Sequence, residues 1–293
     1  MTGTVMVFSG CTPLQREPVR SLASREPRFA EVLAQCDAVL REEAGWSLWE
    51  IWEADREVAD LPRNFPLMVS FQIAMFESLH DRGVDPDAVI GISSGEVSAA
   101  YAAGVIGLRD ALRIAVHGGR AMQPIAARCR MALVWRSADA CRAMTERVSL
   151  AAIIAPELSV ISGLAEEVAS VQNRLAQAQV PAHSLPLPWG VHTPLLPERH
   201  PEFEAVVGEI DTHRARYEAF STSTGTWTDF AFDASQWWRM FRSPVLFESG
   251  IRALLDRGFS SFVDAGPSAT LDALLPRFGA HPVATANALA MLS

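Results

Sequence analysis

At 293 residues the chain is long enough for one large domain, or for a large domain carrying a smaller one. Apolar residues make up 49% and charged residues 20%, as in globular proteins, and no window approaches the roughly 20 uninterrupted apolar residues of a membrane-crossing helix. The net charge is −9, all 25 basic residues are Arg, and they form no run, which argues against a nucleic-acid partner.

In chain order, residues 5–9 read as a short buried strand, followed by a turn at Gly10-Cys11-Thr12-Pro13. Phe29, Val32, Leu33, Cys36, Val39 and Leu40 recur at the three-to-four spacing of an amphipathic helix. Pro62 and Pro66 bracket a new start, and the nearly continuous apolar run from Leu67 predicts a helix packed in the core. Gly83-Val84-Asp85-Pro86 makes a turn, residues 88–91 are a short apolar strand, and the Ala-rich stretch 96–103 is helical. The middle then changes character. Strands at 131–135, 150–154, 159–162 and 182–187 alternate with helices at 138–148 and 165–177. This β-α-β-β-α-β order is ferredoxin-like. It predicts a small subdomain over residues 129–187, inserted into a large one made of residues 1–128 and 188–293. Residues 247–257 read as a helix and 261–265 as another buried strand.

The sharpest chemical signal is Gly91-Ile92-Ser93-Ser94-Gly95-Glu96, a G-x-S-x-G set between an apolar strand and an Ala-rich helix. A tight strand-to-helix turn leaves no room for side chains beside the serine, hence a glycine on either side. The turn lifts the hydroxyl out at the helix N-terminus, where the Ser94 N–H and the helix dipole face a developing oxyanion. Ser93 is therefore the candidate nucleophile, and it needs a base. The histidines are His80, His117, His183, His192, His200, His213 and His281. His192 lies where the inserted segment should return to the large subdomain, a place where clefts form. The residues alone leave His192 and His183 both open. The histidines lack H-x-x-x-H spacing. Cys11, Cys36, Cys129 and Cys141 are too few for a disulfide framework and show no C-x-x-C pair. No metal and no bound cofactor are expected. The first residues carry no basic stretch or cleavage pattern, so a cytoplasmic location is the expectation.

From residue 5 to about residue 275 the chain resembles the malonyl-CoA:acyl carrier protein transacylase family, which includes the acyltransferase domains of polyketide and fatty-acid synthases. The resemblance rests on Gly91 to Glu96, on Tyr101-Ala102-Ala103-Gly104-Val105-Ile106-Gly107-Leu108-Arg109-Asp110-Ala111 and on Ser162-Gly163. It continues in Trp189-Gly190-Val191-His192-Thr193-Pro194-Leu195-Leu196, Pro244-Val245-Leu246-Phe247 and Phe262-Val263-Asp264-Ala265-Gly266-Pro267-Ser268, all in the family's order. It implies an α/β fold, with an α/β-hydrolase-like large subdomain built on a parallel sheet and a ferredoxin-like insert. It also implies Ser93 as the acyl-accepting nucleophile and His192 as its base, oriented by backbone carbonyls. The oxyanion would be held by the backbone N–H groups of Cys11 and Ser94. The implied substrates are phosphopantetheine thioesters, on coenzyme A or on an acyl carrier protein, and the implied partner is that carrier.

The departures from the family pattern carry the substrate argument. The opening loop reads Gly10-Cys11-Thr12-Pro13-Leu14 where the family has a G-Q-G-S-Q-like sequence, which implies a reshaped loop that keeps a backbone donor. Ile92 stands in place of a histidine and implies a drier pocket. Malonyl-specific members fork an arginine onto the free carboxylate, and Gly118 occupies that position here. Arg120, two residues on, points about 200° round the helix. Trp189-Gly190-Val191-His192 replaces the family's selectivity motif, and Trp189 either walls the acyl pocket or fills the junction. Met240 stands where an asparagine is expected, and Arg239 and Arg242 belong either to a carrier-docking surface or to a solvated face. The expected activity is transfer of an acyl group without a free carboxylate, of starter, aminoacyl or fatty-acyl type. The length and initiating Met suggest a discrete enzyme acting in trans in polyketide-type biosynthesis. Three rivals stay open: an editing hydrolase, a malonyl transacylase with a relocated arginine, and a non-catalytic carrier-docking module.

Overall fold

The computed structural model describes residues 3–13, 16–54, 58–144, 148–267, 271–279 and 284–292; Leu14, Ser268 and His281 lie outside them. The chain opens with β1 (Thr4–Phe8), an apolar run buried along most of its length. Helices α1 (Arg16–Arg25), α2 (Pro27–Ala44), α3 (Leu48–Glu53) and α4 (Leu61–Asp81) precede β2 (Ala88–Gly91), α5 (Gly95–Ala102) and α6 (Leu108–Ala126). The middle third holds β3 (Cys129–Val134), α7 (Ala138–Met144), β4 (Ser149–Ala155), β5 (Leu158–Leu164), α8 (Ala165–Gln177) and β6 (Ala182–Ser184). Then come α9 (Pro201–Val207), β7 (Glu218–Ser221), β8 (Thr226–Thr228), α10 (Ala234–Arg242) and α11 (Phe247–Asp256). The described chain ends with β9 (Ser261–Asp264), α12 (Leu271–Leu274), β10 (Ala284–Asn287) and α13 (Ala288–Leu292).

Among the described residues these strands form two sheets. The larger has the order β10-β9-β1-β2-β7-β8. Neighbours are parallel from β10 to β7, but β8 folds back antiparallel on β7. The expected parallel sheet is therefore mixed at one edge, because β7 and β8 are joined by a short hairpin rather than by a crossover helix. Val5, Met6, Val89 and Ile90 are fully buried, as strands covered on both faces require. The smaller sheet, β4-β5-β3-β6, is antiparallel throughout. Its strands and its helix α8 share a separate core, in which Ala132, Val134 and Ile161 meet Val168, Val171 and Leu175.

Helix α4 departs from the sequence expectation by starting at Leu61 rather than Leu67. The Asp60 carboxylate caps it by accepting from the Arg63 N–H at 3.0 Å. Pro66 sits inside the helix at the cost of one backbone hydrogen bond. Among the described residues no helix is long and apolar enough to cross a membrane, and no cluster of His, Cys, Asp and Glu could hold a metal ion. The feature that builds the site is the pairing of β1 with β2, which sets Phe8 opposite Gly91. Both strands end at the same edge of the sheet, so residues 9–11 and 92–94 emerge side by side, where parallel sheets hold their ligands.

Candidate active site

The turn after β2 is fixed by backbone collisions. A Cβ on Gly91 would sit 2.2 Å from the Glu96 nitrogen, and one on Gly95 would sit 2.1 Å from the Phe8 carbonyl oxygen. Only glycine fits at either place. Between them Ser93 adopts a φ of 56°, a left-handed conformation that is strained for a side-chain-bearing residue. That conformation lifts its hydroxyl off the start of α5. Among the described residues neither the Cys11 nor the Ser94 backbone N–H enters a backbone hydrogen bond, and both residues line the cavity beside Ser93. Burial pushes the Cys11 thiol up to about 12, which keeps it protonated next to the serine.

His192 reaches this turn from the segment that follows the small sheet. It too has a left-handed backbone, with φ of 57°, and its N–H donates to the Phe241 carbonyl at 3.0 Å. Its Nδ1 lies 2.7 Å from the Ser243 carbonyl oxygen, which can only accept. The proton therefore sits on Nδ1, and Nε2 presents a lone pair to the Ser93 Oγ at 2.6 Å. Burial drives the imidazole down to about 4, against the raising effect of the Ser243 and Met240 carbonyls. At neutral pH it is an uncharged base already joined to the hydroxyl. His183, the alternative left open by the sequence, is exposed on β6 with its ring 5.1 Å from that of Trp135. Met240 acts on the imidazole through its backbone, a part for which it needs no polar side chain.

Two buried polar systems hold the turn from below, and sequence reading missed both. Glu96 is fully buried, with Oε1 accepting from Thr222 Oγ1 at 2.6 Å and from the Ser223 N–H at 2.7 Å. Its Oε2 accepts from the Ser221 and Ser223 hydroxyls at 3.1 and 3.0 Å. Burial still raises its pKa against all of these bonds. Gln72 of α4 donates to the Ser9 carbonyl at 2.7 Å and accepts from the Ser98 hydroxyl at 2.7 Å, tying α4 and α5 to the first loop.

Ser93 and His192 open onto a cavity of about 140 Å³. An apolar cavity of similar size, roughly 150 Å³, holds a molecule as large as benzene. Ile92, Trp189 and Val191 line it together with Met131, Ile154 and Leu187 from the middle third and Phe65 and Phe241 from the rest. Trp189 is 1% exposed, so it both walls the cavity and fills the junction. Among the described lining residues no side chain other than His192 is ionisable to a cation. Gly118 is a correction to the expected pocket. It is absent from the lining, because the Phe241 ring stands between it and the open space, 2.6 Å from where a Cβ would be. Arg120 is turned outward, donating to the Ala44 and Glu43 carbonyls at 2.9 and 3.3 Å. Arg242 donates to the Leu196 carbonyl at 3.0 Å, while Arg239 is exposed.

A family profile described as "Acyl transferase domain" matches residues 5–290. Erythronolide synthase EryA3 of Saccharopolyspora erythraea is 32% identical over 289 residues, which is 96% of this chain but 9% of that protein. The chain thus spans a small fraction of such multidomain relatives. Among solved structures, the acyltransferase domain from module 8 of the salinomycin polyketide synthase superposes with a TM-score of 0.92 at 28% identity, covering 98% of this chain and 71% of that one. A loading acyltransferase from the avermectin modular polyketide synthase gives 0.90 at 27% identity, covering 97% and 93%.

Proposed function

The chain belongs to the acyl transferase domain family, and on that premise we propose that it carries an acyl group without a free carboxylate between phosphopantetheine thiols, through an ester on Ser93. It is a serine-dependent acyltransferase of the polyketide-synthase type, a family that works on acyl thioesters of coenzyme A and acyl carrier proteins. In the reaction we propose, His192 Nε2 takes the Ser93 proton as Oγ attacks the thioester carbonyl. The negative charge gathers on the carbonyl oxygen, within reach of the Cys11 and Ser94 N–H groups. Collapse breaks the C–S bond, and the imidazolium returns its proton to the leaving thiolate. A second carrier thiol, deprotonated by His192, then attacks the ester and regenerates the serine. Each amide donor to the oxyanion is typically worth about 3 kcal/mol of barrier. We take residues 129–187 to be an inserted subdomain whose apolar residues complete the acyl pocket.

The observation that carries the reading is the wall of the cavity, which is mostly apolar and, among the described residues, offers no cationic side chain to a carboxylate. A buried carboxylate without a partner costs several kcal/mol. Likeness to a loading acyltransferase supports a starter-type acyl group. The test is intact-protein mass spectrometry after incubation with malonyl, simple acyl and aminoacyl thioesters, each on coenzyme A and on carrier protein. The expected result is an adduct from uncarboxylated groups, absent in Ser93→Ala, that a carrier thiol collects. Preferential malonyl loading overturns the substrate reading. Release of free acid that an acceptor carrier does not divert would make the protein an editing hydrolase, and no adduct from any member of the panel would favour a docking module.

A further inference from the structure

Residue 241 stands between the catalytic loop and the cavity. Its carbonyl accepts from the His192 N–H at 3.0 Å, so its backbone is tied to the base, while its ring forms part of the cavity wall. That ring is packed edge-on by three other aromatic rings, with centroids 5.5 Å away at Phe65, 5.8 Å at Phe203 and 6.1 Å at Trp238. From behind, α6 approaches so closely that a Cβ on Gly118 would lie 2.6 Å from the ring Cζ and 2.7 Å from Cε2. Real side chains do not come that near, so a methyl group at 118 would have to displace the ring. Phe65, Phe203 and Trp238 close three sides, and the open space the ring borders is the acyl cavity.

Resting on the apolar-acyl reading of that cavity, we propose that Phe241 sets the length of the acyl group accepted, and that Gly118 sets the position of Phe241 from the second row. Residue 118 then tunes specificity without touching substrate. A larger residue there pushes the ring into the cavity and shortens the acceptable chain. Truncation of Phe241 deepens the cavity and lengthens it. Because the glycine acts only through the ring, removing the ring abolishes the effect of changing the glycine.

The experiment measures kcat/KM for Ser93 loading across straight-chain acyl-coenzyme A thioesters from two to ten carbons. The proteins are the wild type, Phe241→Leu, Phe241→Ala, Gly118→Ala and the Phe241→Ala/Gly118→Ala double variant. One methylene in an apolar pocket is worth about tenfold or more in discrimination. Phe241→Ala is expected to raise the long-to-short ratio at least about tenfold, Phe241→Leu to raise it less, and Gly118→Ala to lower it. In the double variant the Gly118→Ala effect should vanish, giving a non-additive cycle. If Gly118→Ala or Phe241→Ala does not fold, the Phe241→Leu ratio decides alone. A length profile that either Phe241 variant leaves unchanged, or a Gly118→Ala effect equally large without the ring, overturns the proposal. Exclusive malonyl loading by the wild type would instead mean that the reading of the cavity has failed. A wild type that loads uncarboxylated chains with a length preference untouched by Phe241 would sink this inference alone.

Discussion

On either side of the Ser93 turn the protein buries space, and it treats a carboxyl group in opposite ways. Below the turn, the carboxylate of Glu96 is wholly enclosed and met by three hydroxyls and a backbone amide. Above it, the cavity presents aliphatic and aromatic walls, with a neutral imidazole as its ionisable polar group apart from the protonated Cys11 thiol. The first pocket shows what burying a carboxylate takes in this fold: every lone pair answered from a strand end that the sequence supplies as Ser221-Thr222-Ser223. Even so, desolvation outweighs those bonds and raises the Glu96 pKa. Among the described residues, the donors of the second pocket gather at the Ser93 turn and the loop facing it, and the rest of its lining is apolar, so the contrast between the two is a contrast in what each is built to hold.

The largest expected effect tests whether the upper pocket serves the serine at all. Ser93→Ala should abolish the acyl adduct and lower transfer by about 10⁴-fold or more, as loss of a nucleophile does in serine enzymes. His192→Ala should fall nearly as far, and the two changes together should cost little more than one. Rates of thioester turnover with and without acceptor carrier check this. An adduct surviving in Ser93→Ala would move the chemistry elsewhere.

Next comes the discrimination the contrast implies. A malonyl thioester should load about 10³-fold more slowly than an uncarboxylated acyl group of similar length, the equivalent of several kcal/mol for an unpaired buried carboxylate. Competition between the two thioesters, read by mass, measures it. Equal loading would mean that the cavity finds a partner for charge that its walls do not display.

The lower pocket is sharpened by removing its carboxyl group. Glu96→Ala removes the acceptor of the buried Ser223 N–H and of the Ser221 hydroxyl, while the Thr222 hydroxyl keeps the Gly91 carbonyl at 2.8 Å, and should destabilise the fold by about 2 kcal/mol. Glu96→Gln keeps one acceptor oxygen and should cost less. Denaturant unfolding distinguishes the two, and a neutral Glu96→Ala would show that these donors find water instead.

What the sequence disclosed follows the range of the forces involved. Gly91 and Gly95 were legible because their collisions are with backbone a few residues away or on the paired strand, and a G-x-S-x-G spacing records them. The β-α-β-β-α-β order of the middle third was legible because alternation and helical periodicity are local. Glu96 was visible as a letter and not as a role, since its partners lie 125 to 127 positions away. Ser243 holds the His192 ring through a carbonyl, and a carbonyl leaves no mark on residue identity. The four-residue β7 and three-residue β8 carry too few alternations to announce themselves, which is why the mixed edge of the sheet was missed. Phe241 reaches the cavity through the docking of α10 on α6, and the ring pressed against Gly118 is a tertiary contact that the glycine's place in the sequence does not record.

The smallest effect concerns how the two pockets answer to pH. His192 is held neutral by burial, with its pKa pushed down to about 4. An imidazole at the ordinary value of about 6.5 would be roughly 90% protonated at pH 5.5, costing a general base about tenfold in rate. With His192 near 4, the loading rate of free enzyme should be almost flat from pH 7.5 to 5.5 and fall only as pH approaches 4. Stability should move over the same window. The unfolded chain takes up this proton near pH 6.5 and the folded one not until about 4, so unfolded protein binds more protons in between. The contribution is present in full above pH 6.5 and is lost progressively as pH falls toward 4, by up to about 3 kcal/mol. Replacing His192 with Gln should remove that part of the acid sensitivity. An acid limb near pH 6.5 in the loading rate would mean that water reaches the imidazole, and that the upper pocket is less dry than its walls suggest.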